Sequence, residues 1–186
     1  MKRTILLTNL FLISLTIFSQ EIRFKTDKGD MLFPDDFMKN GPELNQPFPD
    51  FQFVDILGDS IKLTDFADKT LVINVWFVGC TGCKHEEANL RKITESYKTN
   101  DQFAFVSFCM TNENKIHKYF DRHGEFGYRT ISVDRDEMKE RYNTITSPTH
   151  FIVDKGILVT KFTMPIYEGQ IMDWYVEQLE AVNREL

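Results

Sequence analysis

Basic residues are in deficit in this 186-residue chain, and cysteine is scarce. Its 22 lysines and arginines stand against 28 aspartates and glutamates, which gives a formal net charge of −6. A nucleic-acid partner is therefore not expected, because no basic stripe interrupts the acidic background. Internal repeats and low-complexity segments are also absent. With 42% hydrophobic residues, the chain can bury one good core, and its length favours a single globular domain.

The longest apolar run lies at the N-terminus. Residues 1–20, MKRTILLTNLFLISLTIFSQ, join a basic start to a mostly apolar run and end in small or polar residues. This layout is typical of a secretory signal peptide, and the run is short against the roughly 20 apolar residues that span a bilayer. No cysteine follows the run to accept a lipid. We expect an exported protein, in the periplasm or outside the cytoplasmic membrane, with a membrane anchor as the alternative if the segment is not cleaved.

Strand-like and helix-like segments alternate after residue 50. Apolar and β-branched runs predict strands at 51–56, 60–63, 69–77, 102–109, 128–133, 149–153 and 157–162. Helical spacing predicts helices at 83–97, 113–123, 136–142 and 168–186. The pattern indicates an α/β sheet with an antiparallel edge. Residues 21–46 are rich in proline and glycine and are expected to form an irregular leader with room for one short hairpin.

Cys80 and Cys83 stand two residues apart in FVGCTGCKHEE. A zinc site would need a second paired motif, which the sequence lacks, and haem attachment would need histidine where Lys84 stands. A structural disulfide that closes so small a loop would add little stability. A peroxidase of the peroxiredoxin kind would be expected to carry threonine in place of Phe77. Redox exchange is therefore the favoured interpretation of the pair.

The position of the pair assigns a role to each thiol. Cys80 follows a predicted strand, and Cys83 begins a predicted helix. A helix N-terminus offers unpaired N–H groups and a positive dipole end, which stabilise a thiolate at Cys80, and the thiolate is the form that attacks a disulfide. We expect Cys80 to be the exposed nucleophile and Cys83 the resolving thiol. No metal or bound cofactor is expected beside this redox-active disulfide.

Further segments surround the pair: PFPDF at 47–51, a hairpin before LTDF at 63–66, NVW at 74–76 and SPTHFIVD at 147–154. Together with CTGC, they make the chain resemble the thioredoxin superfamily, and most closely the exported TlpA/ResA-like thiol:disulfide oxidoreductases. The resemblance implies a thioredoxin-like domain over residues 47–186, after the signal peptide (1–20) and the leader (21–46). It also implies an N-terminal hairpin and a central helix–strand insertion.

The resemblance extends to residues around the cysteine pair. It implies that Pro148 is a cis-proline packed beside the pair, and that the backbone of Ser147 pairs with an extended substrate segment. The competing interpretation is that Pro148 merely starts an edge strand. Trp76 is implied to support the site from below. Gly79 stands where relatives usually have tryptophan and is assigned to the substrate-contacting surface. Strand alternation leaves open whether His150 faces the site.

Proton handling is assigned to an acid near Cys83. Thioredoxin has a buried aspartate where this chain has Asn74, which cannot take a proton. Glu86 lies three residues after Cys83 and in line with the apolar stripe of the helix, so helical spacing points it toward the core. A glutamate here recurs in the TlpA/ResA branch, and we expect it to exchange a proton with Cys83. The alternative is a first-turn acid that complements the helix dipole. Glu87 is expected on the solvent face.

Two functions follow from these residues. The first is an exported thiol:disulfide oxidoreductase that reduces protein disulfides through Cys80 and Cys83 and is itself reduced by a membrane or exported donor. The alternative is a copper-handling metallochaperone of the Sco type, which shares the fold and binds Cu(I) with two thiolates and a histidine. Cysteines in that type are spaced by three residues, and the candidate histidines His117 and His123 fall in the inserted segment. No residue identifies the substrate.

Overall fold

The computed structural model describes residues 23–26, 29–32 and 38–184. The predicted signal peptide lies outside these residues. Within them, no helix is both long and apolar enough to cross a membrane. The leader contains the short hairpin for which the sequence left room, because β1 (Arg23–Thr26) pairs antiparallel with β2 (Gly29–Leu32).

A mixed sheet of five strands forms the centre of the fold. Its strands are β5 (Thr70–Trp76), β6 (Phe103–Cys109), β7 (Arg129–Ser132), β8 (Thr149–Asp154) and β9 (Ile157–Phe162). They lie in the order β7-β6-β5-β8-β9, with β5 to β7 parallel and β8 and β9 antiparallel. Every residue of β5 is buried, which is why its sequence is a nearly continuous apolar run. The predicted α/β sheet with an antiparallel edge is confirmed.

Helices and a hairpin cover the two faces of the sheet. The helices are α1 (Thr81–Tyr97), α2 (Glu113–His123), α3 (Arg135–Tyr142) and α4 (Gln170–Arg184). Apolar residues of α1, α2 and α4 form one core with the sheet, and those of α3 form a second core on the opposite face. The second core includes the predicted hairpin of β3 (Gln52–Val54) and β4 (Ser60–Lys62). The site therefore has α1 on one side of the sheet and a separate packed layer behind it.

Alternation along the strands decides which side chains reach α1. On β5, Val72 and Trp76 belong to the core under α1, whereas Ile73 belongs to the core behind the sheet. Because successive side chains of a strand point to opposite faces, Asn74 shares the face of Val72 and Trp76. On β8, the same alternation places His150 on the α1 face.

Asn40 fixes the end of the leader to the loop that precedes β8. Its Nδ2 donates to Thr149 Oγ1 at 2.6 Å and to Thr163 Oγ1 at 3.0 Å. Its Oδ1 accepts from the backbone N–H of Ile145 at 2.9 Å. One leader residue thus holds three separate points of the fold, and two of them lie within four residues of the predicted cis-proline.

Candidate redox site

Cys80 and Cys83 form a disulfide at the junction of β5 and α1. Cys80 is the N-cap of α1 in an extended conformation, and its Sγ accepts a hydrogen bond from the backbone N–H of Cys83 at 3.1 Å. The sulfur of Cys80 therefore lies where the first-turn N–H groups and the helix dipole favour negative charge. This is the arrangement that the motif predicted.

The two cysteines face different surroundings. Cys80 exposes 7% of its surface and Cys83 5%, so Cys80 is less exposed in the disulfide than we predicted. Cys80 opens into an outer cleft of about 320 Å³, which is also lined by Gly79, Thr81, Lys84, His85, Tyr119 and His123. Cys83 lines an inner gap that has no room for a water molecule and is also lined by Asn74, Trp76, Glu87, Leu90 and Phe126. The Cys80 side of the disulfide is therefore accessible to solvent, whereas the Cys83 side, called the dry side below, has no room for water.

Two glycines shape the backbone around the disulfide for different reasons. Gly79 has φ +98° with open space around it, so the left-handed backbone, rather than crowding, disfavours other residues there. At Gly82, an added Cβ would lie 2.9 Å from Pro165 Cγ and 3.2 Å from Pro148 Cδ. Gly82 therefore allows the first turn of α1 to approach both prolines closely.

The Ser147–Pro148 peptide bond is cis, in agreement with the resemblance. Pro148 is buried directly before β8, and its ring lies against the first turn of α1 at Gly82. Ser147 is half-buried at the start of this turn. The structure therefore brings the predicted cis-proline and the cysteine pair together at one end of the sheet.

Glu86 is fully buried on α1 and accepts hydrogen bonds at both carboxylate oxygens. Its Oε1 accepts from Asn74 Nδ2 at 3.0 Å, and its Oε2 accepts from the backbone N–H of Ile166 at 2.9 Å. His150 Nε2 lies 3.0 Å from the same Oε2. Glu86 points into the core as helical spacing predicted, and its contacts make His150, whose orientation the sequence left open, part of the site.

The two ring nitrogens of His150 face different partners. Its Nδ1 lies 3.4 Å from Asn74 Nδ2, and an amide nitrogen can donate but not accept. The Asn74 amide can donate to Nδ1, and in that tautomer Nε2 is the nitrogen that carries the proton toward Glu86 Oε2, 3.0 Å away. The ring is fully buried and stacks on Phe162 with centroids 4.6 Å apart. Asn74 and the backbone N–H of Ile166 thus donate to the carboxylate of Glu86, and the His150 ring contacts it from a third side.

Two tyrosines complete the buried surroundings of Glu86. The ring of Tyr175 lies 5.7 Å from that of His150. Burial, together with the nearby charge of Glu86, raises the pKa of Tyr175. Burial also raises the pKa of Tyr128, with smaller contributions from Tyr175 and Glu86. Both phenols therefore stay protonated near neutral pH and add no charge around the carboxylate.

Glu87 does not face solvent, and that prediction is wrong. It is 5% exposed, and its Oε2 accepts from Lys84 Nζ at 2.9 Å and lies 3.7 Å from Arg91 Nη2. The hydroxyl of Tyr119, on α2, donates to its Oε1. Burial, and then this hydrogen bond, raise the pKa of Tyr119. The cause is α2, which covers the side of α1 that helical spacing assigned to water.

Trp76 lies in the core below the disulfide, as the resemblance implied. It is 2% exposed, and its Nε1 donates to Ser107 Oγ at 3.2 Å. Its indole packs against an aromatic cluster of α2 and the following loop, formed by Tyr119, Phe120 and Phe126. Cys109 pairs with Trp76 in the neighbouring strand and is fully buried, and burial raises the pKa of its thiol to about 12. Cys109 therefore packs as a small apolar side chain.

The histidines named for the copper alternative are divided. His123 lines the outer cleft beside Cys80, whereas His117 lies on the exposed side of α2, with Nε2 3.4 Å from Glu113 Oε1. Among the described residues, no three histidine, cysteine, aspartate or glutamate side chains are grouped so that they could hold a metal ion.

A disulfide at the N-terminus of a helix, beside a cis-proline and at the end of a mixed sheet, defines a thioredoxin-like redox protein. Residues 44–161 match the AhpC/TSA family, and the chain belongs to this family. The predicted thioredoxin-like fold is confirmed.

Named relatives agree on the class of activity. The chain is 27% identical over 121 residues to the thioredoxin-like protein YneN of Bacillus subtilis, covering 63% of this chain and 70% of that protein. It is 27% identical over 110 residues to the thiol-disulfide oxidoreductase ResA of Geobacillus kaustophilus, covering 58% of this chain and 62% of ResA, which is less than two thirds of that relative. A structure assigned as the thiol:disulfide interchange protein DsbE of Chlorobium tepidum shares the fold, with TM-score 0.67, 16% identity, and 75% and 97% of the two chains covered. The predicted class, a thiol:disulfide oxidoreductase, is confirmed.

Proposed function

We propose that this protein is exported and reduces disulfides in protein substrates through Cys80 and Cys83. The observation that carries the proposal is the asymmetry of the disulfide. Cys80 Sγ lies at the N-cap of α1 and opens into the outer cleft, whereas Cys83 lines the inner gap. A substrate sulfur has access to Cys80, and Cys83 is within one helical turn of the mixed disulfide that would form.

The reaction proceeds in two exchanges. The Cys80 thiolate attacks one substrate sulfur, a mixed disulfide forms, and the other substrate sulfur leaves as a thiolate. Cys83 then loses its proton and attacks Cys80 Sγ, so that the second substrate sulfur leaves and the Cys80–Cys83 disulfide forms. Two electrons pass from the protein to the substrate. Glu86 is the proposed proton partner of Cys83, and Asn74 and Trp76 support the site.

Substrate contact is proposed at the loop that carries the cis-proline. An extended substrate segment would pair with the backbone of Ser147 beside Pro148, in the manner of an added strand. Gly79 has no side chain and is exposed at the entrance to the outer cleft. This leaves room for the substrate chain next to Cys80. The partners are therefore a protein with a disulfide and an upstream donor in the membrane or the exported compartment.

Location and domain limits are proposed from the sequence. Residues 1–20 would direct export, with a membrane anchor if they are retained, and residues 21–46 would form the leader before a domain at 47–186. Disulfide exchange between proteins suits an exported compartment, where disulfides persist.

The reduction potential tests the direction of electron flow. We expect equilibration with glutathione to give a value near about −270 mV, as for thioredoxin, and a value near about −120 mV, as for the oxidant DsbA, would reverse the proposed direction. Catalysed reduction of insulin by dithiothreitol tests the reaction itself, with Cys80→Ser as the inactive control. An insulin rate equal to that of this control would contradict the proposal.

One observation favours the copper-handling alternative, because His123 lines the same cleft as Cys80. Titration of the reduced protein with Cu(I) tests it directly. A tight one-to-one complex that weakens in His123→Ala would support this function. Binding that is weak, or equal in the variant, would remove it.

Peroxidase activity is not proposed, although the chain belongs to the AhpC/TSA family. The position three residues before Cys80 holds Phe77, whose ring lies 4.7 Å from the guanidinium carbon of Arg135. An aromatic ring offers no hydroxyl to a peroxide. We therefore expect hydrogen peroxide to oxidise Cys80 no faster than it oxidises an ordinary accessible thiol, measured by loss of free thiol in the reduced protein.

A further inference from the structure

Asn74 carries a buried carbonyl oxygen with no hydrogen-bond partner. The residue is fully buried, and its Nδ2 faces Glu86 Oε1 and His150 Nδ1. Its Oδ1 is among the few buried polar atoms of the described residues that make no hydrogen bond. Such an orphan acceptor is costly in a folded protein and calls for an explanation. A partner that exists in another redox state would supply one.

Among the residues that line the inner gap with Asn74, one candidate donor remains; the unpaired hydroxyls of Tyr128 and Tyr175 do not line this gap. Asn74 and Cys83 line the same inner gap, which is too small for a water molecule. The remaining lining residues are apolar or already paired: Leu90 and Phe126 have no side-chain donor, the indole N–H of Trp76 is donated to Ser107, and Glu87 is an acceptor held by Lys84 and Tyr119. In the disulfide, the sulfur of Cys83 has no hydrogen to donate. Reduction breaks the S–S bond and gives Cys83 an S–H group, which is a donor.

We propose that the Cys83 thiol donates its hydrogen to Asn74 Oδ1 in the reduced protein. Asn74 then links Cys83 to the buried Glu86–His150 pair, and these two act as positioning residues through Asn74. This inference rests on the proposed function of the same site. It concerns the protonated thiol at rest, before Cys83 gives up its proton to Glu86 in the proposed resolution step.

The hydrogen bonds behind Asn74 strengthen this link. Glu86 Oε1 accepts from the amide N–H of Asn74, which polarises the amide and makes its carbonyl oxygen a better acceptor. On the other oxygen of Glu86, His150 and the backbone N–H of Ile166 hold the carboxylate in place. The other titratable groups that face this network are the phenols of Tyr128 and Tyr175. These hydrogen bonds are therefore already formed in the disulfide state, and Asn74 Oδ1 is positioned to accept a hydrogen bond from the Cys83 thiol after reduction.

Equilibration with glutathione measures the proposed hydrogen bond. The reaction converts the protein disulfide and two glutathione thiols into the protein dithiol and glutathione disulfide, so that protons and electrons balance. Asn74→Ala removes the acceptor and destabilises the dithiol. We expect the equilibrium to move toward the protein disulfide by about three- to tenfold, which corresponds to a potential about 14–30 mV more negative.

Asn89→Ala is the matched control. Asn89 is also a buried amide whose Oδ1 has no partner, and its Nδ2 donates to the carbonyl oxygen of Ile166 at 2.7 Å. It does not line the inner gap. We expect Asn89→Ala to lower stability but to change the equilibrium by less than about twofold. Equal shifts in the two variants would overturn the proposal, as would an unchanged equilibrium in Asn74→Ala.

Infrared spectroscopy gives a readout that does not depend on the folding of Asn74→Ala. In a Cys80→Ala, Cys109→Ala protein, Cys83 is the remaining thiol and position 80 offers no side-chain acceptor to it. We expect its S–H stretching band at the lowered frequency of a hydrogen-bonded thiol, and a band at the free-thiol frequency would overturn the proposal. Neither measurement uses a protein substrate. Failure of wild-type protein to reduce insulin would therefore remove the proposed function without touching this inference.

Discussion

The outer cleft and the inner gap surround two sulfurs of one disulfide with opposite environments. The cleft holds about 320 Å³ and is bordered by polar side chains, including those of Lys84 and His123. The gap has no room for water and is bordered mainly by apolar side chains. The difference arises because Cys80 precedes the first turn of α1, whereas Cys83 lies within that turn and points toward the sheet. Position along one helical turn thus gives two identical side chains different surroundings.

Removing the sulfur on the dry side gives the largest expected effect. In Cys83→Ser, the mixed disulfide at Cys80 has no second thiol to resolve it, so we expect covalent complexes with substrate to accumulate and insulin turnover to fall to background. Non-reducing gels and mass spectrometry of the trapped peptide measure this. Cys80→Ser is the control and should trap nothing. Trapping by Cys80→Ser instead would exchange the proposed roles of the two cysteines.

Glu86→Gln removes the proposed proton partner of Cys83 and leaves both cysteines in place. General acid–base assistance contributes about 10²–10⁴-fold, and Glu86 is the proposed proton partner of Cys83, so we expect resolution of a mixed disulfide to slow by about 10²-fold. Stopped-flow measurements across pH follow this step.

Glu87→Gln is the matched control for this experiment, because Glu87 is an equally buried neighbour on α1 whose carboxylate faces Lys84, Arg91 and Tyr119. It should weaken the contact between α1 and α2 and leave the resolution rate unchanged. Equal slowing in the two variants would mean that burial of a charge, rather than the link to Cys83, matters.

Gly82→Ala disturbs the close packing of the first turn of α1 against Pro148 and Pro165. Its Cβ would lie 2.9 Å from Pro165 Cγ, so the prolines or the first turn of α1 must shift. We expect the free energy of unfolding to fall by about 1–3 kcal/mol, as in other overpacked sites. Denaturant melts measure the loss, and Thr81→Ala, at the exposed neighbouring position, is the control. Unchanged stability would show that the two prolines move aside freely.

Cys109 gives the smallest expected effect. Its fully buried thiol has a pKa of about 12, so at pH 8 only about one molecule in 10⁴ carries the thiolate. In the reduced native protein, we expect iodoacetamide to label Cys80 and to leave Cys109 unlabelled, with reactivity at Cys109 rising only as the pH approaches 12. Peptide mass spectrometry after timed quenching measures both sites. Labelling of the two thiols at similar rates would contradict the burial of Cys109.

Much of the fold follows from local pattern. The buried apolar run of β5, the helical spacing of α1 and the CTGC motif at their junction each act over a few residues, so they predicted the strand, the helix and the placement of Cys80. The same spacing predicted that Glu86 points inward, because Glu86 is in line with the apolar face of α1 and that face packs on the sheet. These features depend on short-range geometry that the sequence displays directly.

Features that depend on packing between segments far apart in the sequence could not be predicted from local pattern. Glu87 is buried because α2 covers it, and no spacing within α1 encodes that contact. His150 lies on β8, a strand buried on both faces, so alternation offers no contrast between a polar and an apolar side. The inner gap is formed by residues from β5, α1 and the loop before β7, and its dryness depends on how these elements meet.

Asn40 bears on where the working unit begins. The family match starts at residue 44 and the predicted domain at residue 47, yet Asn40 is bonded to Ile145 and Thr149 on either side of the cis-proline. A recombinant fragment cut at either limit would keep both cysteines and every strand of the central sheet. It would lose the hydrogen bonds from Asn40 to the loop proposed to bind substrate. A recombinant fragment intended to be active should therefore include the end of the leader that contains Asn40.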